Sequence, residues 1–365
     1  MNKGIKIRLY PNKEQQNFIN RIIGCCRLVY NKGLRFRNEA FKNGEKVSYS
    51  ATSSMLTELK KQEAYSFLKD ADSVALQQAL RDLDRAFVNF FQKRAGHPVF
   101  RSKHSPYQSY RTLNQNGKIR IEGRYLRLPK LGPVKCRVST EIPEIRHVTV
   151  SKTPSGKYYA VLNVEFTPAD IHPGNNAIGI DVGIKDFYTD SNGKVVENPK
   201  FLEKTERKLA REQRKLSKKR KYSRSRRKQR MKVARLHEKI HNQRNDFLQK
   251  QSTMLIRENQ TVCIEDLHVR NMIKNRKLAK HIASASWSRF FDMLEYKGKW
   301  YGNDIIRVPV FYPSSQLCSV CNYKNPEVKN LAVRKWICPV CHTEHGRDVN
   351  AGVNILNKGL SLRTA

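Results

Sequence analysis

Two Cys-x2-Cys pairs, Cys318–Cys321 and Cys338–Cys341, lie sixteen residues apart and restrict the fold of this chain more than any other feature. Each pair makes a tight knuckle offering two thiolates, and two knuckles complete a tetrahedron around zinc. A segment this short has too little apolar core of its own, so a structural Zn²⁺ supplies its stability. His342 and His345 are alternative ligands, but four thiolates leave them unnecessary. The other cysteines, Cys25, Cys26, Cys136 and Cys263, sit among apolar neighbours and read as small buried hydrophobes in a reducing compartment.

The charge balance names the class of partner. Lys and Arg number 71 against 32 Asp and Glu, a formal net charge of +39 over 365 residues. A chain so charged repels itself unless a polyanion neutralises it. A hydrophobic fraction of 39% supports globular folding, so global disorder is excluded, and the length suits two or three domains. Membrane surface is the competing polyanion. However, there is no lipidation motif, no apolar h-region at the start and no apolar run of membrane-spanning length. The expectation is a cytosolic, nucleic-acid-bound protein with no membrane partner. The charge concentrates in residues 200–244, which hold 20 Lys and Arg against four Glu. Its densest part includes Lys218, Lys219, Arg220 and Lys221. A solvated helix face is the ordinary reading of such a run. Leu236, Ile240, Phe247 and Leu248 keep rough helical spacing downstream, which favours a packed basic hairpin lying along a duplex backbone.

Periodicity divides the chain. Residues 3–10 alternate as a half-buried strand, and Pro11 opens a helix with Phe18, Ile22 and Val29 on its apolar face. A second helix covers 73–94, with Ser73 as N-cap. Residues 97–170 read as short strands between Gly and Pro, a small barrel or curled sheet. IHPGNN (171–176) reads as a linker, AIGIDVG as a buried strand, 199–258 as a long basic helical segment and VCIEDL as another buried strand. WSRFFDMLEYKGKWYG is an amphipathic helix, DIIRVPV a strand, and RDVNAGVNILNKG a closing helix after the zinc module.

Three acids stand out within this frame: Asp181 and Glu265 at strand ends and Asp348 at the start of a helix. Phosphodiester cleavage through two divalent ions needs carboxylates converging from separate elements, and Mg²⁺ prefers oxygen ligands. Each acid also has a plain structural reading. Asp before Gly is common turn chemistry, and Asp348 can cap its helix. Alternation places only one of Glu265 and Asp266 on the side of Asp181.

Taken in order, KIRLYPNKEQQ, GCCRLVYNKGL, ALQQALRDLDRAFVNFF with YQSYRT, GIDVGIKDF with IEDL, SSQLCSVC…CPVC and RDVNAGVNIL resemble the TnpB (OrfB) family over nearly the whole chain. Those proteins are encoded by insertion sequences and resemble compact ancestors of type V CRISPR effectors. The resemblance implies a multidomain α/β and β protein. A wedge β-barrel (1–10 and 96–174) with an inserted helical recognition domain (11–95) precedes an RNase H-like, RuvC-type nuclease (175–312 and 346–365), which contains the basic hairpin and is interrupted by a four-cysteine zinc ribbon (313–345). It implies a guide RNA from the element's end, double-stranded DNA as target, and Asp181, Glu265 and Asp348 as carboxylates of a two-ion Mg²⁺ site. It also implies protein side chains that read a short target-adjacent motif. Gln77, Gln78, Tyr110 and Thr112 are the candidates, because glutamine pairs bidentately with adenine. The family's closing motif is DRDxNAA; here Gly346 replaces its first acid and Gly352 its second alanine. Gly352 lowers helix propensity and is expected to loosen the support of Asp348.

The implied function is RNA-guided, Mg-dependent DNA cleavage next to a short motif. A nuclease-inactive guided repressor or transposition accessory on the same scaffold is the alternative, against which the intact acid triad argues. A DDE transposase would share the acids but recognise its DNA ends without RNA.

Overall fold

The computed structural model describes residues 1–168 and 174–363, so residues 171–173 of the expected linker lie outside the described residues. The chain divides into two compact units, Met1–Thr167 and Pro168–Ala365. Among the described residues no helix is long and apolar enough to cross a membrane.

The first unit runs β1 (Asn2–Leu9), α1 (Lys13–Lys42), α2 (Tyr49–Lys61), α3 (Ser73–Phe91), β2 (Gln108–Leu113), β3 (Arg120–Glu122), β4 (Tyr125–Leu128), β5 (Gly132–Arg137), β6 (Ile145–Lys152) and β7 (Tyr158–Glu165). Helix α1 starts with a capping box. Asn12 Oδ1 accepts from the Gln15 amide and Gln15 Oε1 from the Asn12 amide, so Pro11 precedes the cap instead of opening the helix. In α3 the N-cap is Asp72, not Ser73: its Oδ1 accepts from the Val74 amide. Asp72 is the better cap because its second oxygen takes the Thr112 hydroxyl at 2.5 Å and ties the helix to β2. The strands form one antiparallel sheet in the order β2-β6-β7-β1-β5-β4-β3, with β2 and β3 at its two edges. Helices and sheet share one core, in which Leu34, Leu76, Leu80 and Leu83 belong to the same cluster as Val148, Val150, Ala160 and Leu162. Cys25, Cys26 and Cys136 are buried in it.

The second unit runs β8 (Ala177–Val182), β9 (Asp186–Asp190), β10 (Val195–Glu197), α4 (Phe201–Ser217), α5 (Arg224–Glu258), β11 (Thr261–Glu265), α6 (Val269–Met272), α7 (Ala279–Ala285), α8 (Trp287–Tyr301), β12 (Asp304–Val308), β13 (Lys335–Ile337), β14 (Glu344–Gly346) and α9 (Arg347–Arg363). Its mixed sheet has the order β10-β9-β8-β11-β12, with β8, β11 and β12 parallel. Strand alternation sends Ile178, Ile180, Val262 and Ile264 to a core shared with α5 and α8. The opposite parity, Gly179, Asp181, Cys263 and Glu265, faces α9. There Cys263 packs with Val308 and Ile355.

Glycine sets how closely α9 lies on that face. A Cβ on Gly179 would sit 2.1 Å from the Gly352 carbonyl oxygen, and one on Gly359 2.3 Å from Cys263 Sγ. A Cβ on Gly352 would meet the backbone of Asp190 and Ser191 at 3.0 Å. Against the expected loosening at Gly352 stands a packing contact that helix propensity does not register. The missing methyl lets α9 seat against the end of β9, so the propensity cost is offset by close packing.

The basic segment folds as the hairpin α4–α5, sealed by Leu209, Val233 and Ile240. One of its cations serves the fold. Arg226 Nη1 donates to the Leu216 and Lys219 carbonyls, each at 2.8 Å, and so caps the C-terminus of α4.

Candidate functional site

The register between β8 and β11 pairs Ile180 with Ile264; one residue further it brings Asp181 beside Glu265. Helix α9 crosses the same face with Asp348 in its first turn. All three carboxylates line one cavity of about 730 Å³, together with Lys185, Lys200, Arg334 and Arg347. Burial first, then the charges of Glu265 and Asp348, raises the Asp181 pKa well above the ordinary carboxylate value, while Arg347 and Arg334 oppose the rise. Burial also raises Glu265, and the hydrogen bond from Ser314 Oγ to its Oε1 at 2.7 Å opposes that shift. Asp181 and Glu265 thus share a buried setting that disfavours their ionised forms, a perturbation that marks candidate functional sites.

Geometry separates the adjacent acids. Glu265 lines the cavity, whereas Asp266 turns to the other side and accepts from Arg307 Nη1 at 2.7 Å. Asp348 does not serve as an N-cap: it lies within α9, and Arg334 Nη1 reaches both of its oxygens at 3.4 Å. Gly346, where the family has an acid, faces open space; a Cβ there would meet only Val349 at 4.0 Å.

The zinc module folds as two matching knuckles. The Cys318 amide donates to the Tyr323 carbonyl, and the Cys338 amide to that of Thr343. The residue after each second cysteine, Asn322 or His342, takes a left-handed φ of 62° or 56°. The four Sγ atoms lie within 4.8 Å of one another, with Cys318–Cys341 and Cys321–Cys338 each at 3.5 Å. Tetrahedral Zn–S bonds of about 2.3 Å place sulfurs roughly 3.8 Å apart, so the thiolates fit the ion. His342 occupies the exposed turn position, while His345 is buried against Trp336 with Nε2 3.1 Å from Cys318 Sγ.

Several supporting residues escaped sequence reasoning. Asn354 donates to the carbonyls of Ser314 and Leu317, and Asn350 brackets Leu317 and Ser319, tying the segment that leads into the ribbon to α9. Ser314, held in this way, orients Glu265. Asparagines four apart inside a helix are poor helix formers, and that was the available signal. Arg334, the ribbon residue at Asp348, carried no signal beyond its charge.

The four motif-reading candidates divide differently. Gln77 is exposed on α3, but Gln78, Tyr110 and Thr112 are buried, Thr112 completely. On β2 the outward partner is Arg111, paired with Asp82 at 2.6 Å beside a cavity of about 570 Å³. Lys218, Arg220 and Lys221 are exposed at the hairpin tip, with Lys219 half-buried against Ser225.

Comparison with known proteins places this arrangement. The family model described as "Probable transposase" (OrfB of IS605) matches residues 157–276, and "Cas12f1-like, TNB domain" matches 287–355. A "Helix-turn-helix domain" of the same family matches 1–46, which here hold one strand and a single 30-residue helix. A Streptomyces pristinaespiralis protein named "Putative RNA-guided DNA endonuclease" is 42% identical over 363 residues, covering 98% of this chain and 90% of that protein. The Escherichia coli K12 protein named "Putative RNA-guided DNA endonuclease InsQ" is 35% identical, covering 98% and 92%. The protein in a solved Cas12f1-sgRNA-target DNA complex shares the fold at a TM-score of 0.62 and 14% identity, over 98% of this chain and 99% of that one. With such identity sustained across almost its entire length, the chain belongs to the TnpB (OrfB) family.

Proposed function

We propose that this protein is an RNA-guided DNA endonuclease. It would cut double-stranded DNA beside a short motif, with a guide RNA drawn from the end of its encoding element. In this reading the second unit is an RNase H-like, RuvC-type nuclease core interrupted by the ribbon. The first unit combines the wedge barrel and helical recognition parts that hold guide and motif. The cell compartment would be the prokaryotic cytoplasm, at the nucleoid.

The observation that carries the reading is the meeting of Asp181, Glu265 and Asp348, from three separate elements, in one cavity that also holds cations. The donor set is carboxylate. Among the described residues the cavity's one imidazole is His281, which pairs with Glu203 at 2.9 Å. Hard oxygen donors whose burial disfavours their own ionisation fit Mg²⁺. Bound Mg²⁺ would supply Lewis acidity and an activated water. The chain's own groups do the rest. Ser314 and the α9 asparagines keep Glu265 and Asp348 in register. Arg334, bound to Asp348 only at 3.4 Å, is free to transfer to a backbone phosphate, and Lys185 and Lys200 extend the positive wall.

Cleavage of a guide-matched duplex with Mg²⁺, beside a binding assay, tests the proposal. Asp181→Ala, Glu265→Ala and Asp348→Ala each abolish cutting, act non-additively in combination and retain guided binding. Asp266→Asn is mild. Full cleavage by Asp181→Ala or Glu265→Ala refutes the triad. Tight guided binding without cleavage by the unmodified protein favours the repressor.

A further inference from the structure

Tyr222 stands at the apex of the α4–α5 hairpin and is 99% exposed. A tyrosine ring ordinarily contributes to folding by burial, and this one contributes nothing to the core. Its backbone takes φ 66°, a conformation bulky residues rarely adopt unless the surroundings impose it. The loop imposes it here. Ser223 donates through its amide and its hydroxyl to the Arg220 carbonyl, and Ser223 Oγ accepts from the Arg226 amide at 3.1 Å. Arg226 spans the loop to Leu216 and Lys219, and Lys219 Nζ reaches Ser225 Oγ at 2.7 Å. The ring is thus presented on a braced turn. Around it, residues 213–237 contain no acid and thirteen Lys and Arg.

We infer that Tyr222 is a stacking platform for an unpaired base of single-stranded RNA, with the flanking Lys218, Arg220, Lys221 and Arg224 on its phosphates. The inference rests on the nucleic-acid reading above and deepens it. Cations alone hold a polyanion anywhere along its backbone; a lone exposed ring among them adds affinity only where the partner offers an open π-face. Bases inside a closed duplex have theirs covered by neighbours, so the ring selects unpaired nucleotides. An anionic lipid surface fits less well. The apolar side chains of this hairpin, Leu209, Val233 and Ile240, are already buried between its helices, which leaves no apolar face to insert.

The test uses the full chain with a short single-stranded RNA, a closed RNA–DNA duplex of equal length, and anionic phospholipid vesicles, across a salt series. Tyr222→Ala is expected to weaken single-stranded RNA binding by about 5- to 140-fold, the range of a lost base–aromatic stack. The slope of log K against log salt stays constant, because no phosphate contact is removed. Tyr222→Phe restores binding and Tyr222→Leu does not, while duplex binding stays at the unmodified level in all three. Unchanged RNA binding by Tyr222→Ala, a shallower salt slope, or rescue by leucine overturns the inference. So does a loss confined to vesicles, which would assign the ring to lipid. If the unmodified chain binds no RNA, the functional reading falls and this inference with it; if it binds and Tyr222→Ala is silent, only the inference falls.

Discussion

Substituting Gly179 by alanine tests whether close approach of α9 to β8 holds the candidate site together. The new Cβ would lie 2.1 Å from the Gly352 oxygen, 2.6 Å from the Leu356 nitrogen and 2.8 Å from Leu356 Cβ. The first two of these atoms are backbone, so no rotamer change relieves the overlap. Restoring an ordinary carbon–oxygen contact of about 3.3 Å needs the helix to retreat by roughly 1.2 Å. Overpacking of this kind costs about 1–3 kcal/mol, and a backbone obstacle puts the case at the upper end. For a unit of this size about 3 kcal/mol lowers Tm by roughly 6–12 °C. The same retreat moves Asp348, and a displacement near 1 Å costs about 100-fold in rate. Calorimetry and guided cleavage measure the two effects. Gly96→Ala is the control, since nothing lies within 4 Å of its added methyl. Unchanged Tm and cleavage in Gly179→Ala would refute the argument that glycine contact seats the helix.

Metal analysis of the dialysed protein should find close to one zinc per chain, and Cys338→Ser should lose it; retained zinc in that variant would remove the ribbon assignment. Neutralising Lys218, Lys219, Arg220 and Lys221 together should weaken binding to all sequences alike and reduce the salt slope by about 3. A selective loss at one flanking motif would show base reading instead. Lys297 gives a pH test. Burial, with help from Arg257, lowers its pKa to about 8, although Nζ donates to the Gln249 carbonyl and to the hydroxyls of Ser252 and Thr253. Between about 8 and the ordinary 10.5 the unfolded chain binds the proton and the folded one releases it, so stability rises with pH across that window. Below pH 8 the penalty is constant. Lys297→Met should lack that rise when melting is compared at both ends of the window.

Residues whose pattern is local were readable from the sequence. The knuckles, the buried strands at 177–183 and 262–267, the hairpin and α8 follow from spacing and periodicity, and Asp181, Glu265 and Asp348 were found as strand-end and helix-start acids. What escaped depends on distant partners. The short strands β9 and β10 gain definition only from pairing, β9 with β8 and the edge strand β10 with β9. Asp72 displaces Ser73 as cap because Thr112, forty residues away, needs an acceptor. Gly352 is unfavourable by propensity and favourable in place, since only the fold brings Asp190 against it. The burial of Gln78 and Tyr110 likewise comes from packing helices on the sheet, which period alone does not reveal.

The ribbon's place between β12 and α9 has a consequence for the order in which the candidate site is assembled. A ribosome delivers Asp181 and Glu265 first, then both cysteine knuckles, and Asp348 only after them. A nascent chain halted at any earlier point owns two carboxylates and no third. Strand β14 runs directly into α9, so the second knuckle also sets where the last acid begins. The three acids thus come together only when the final helix settles on a sheet made long before it.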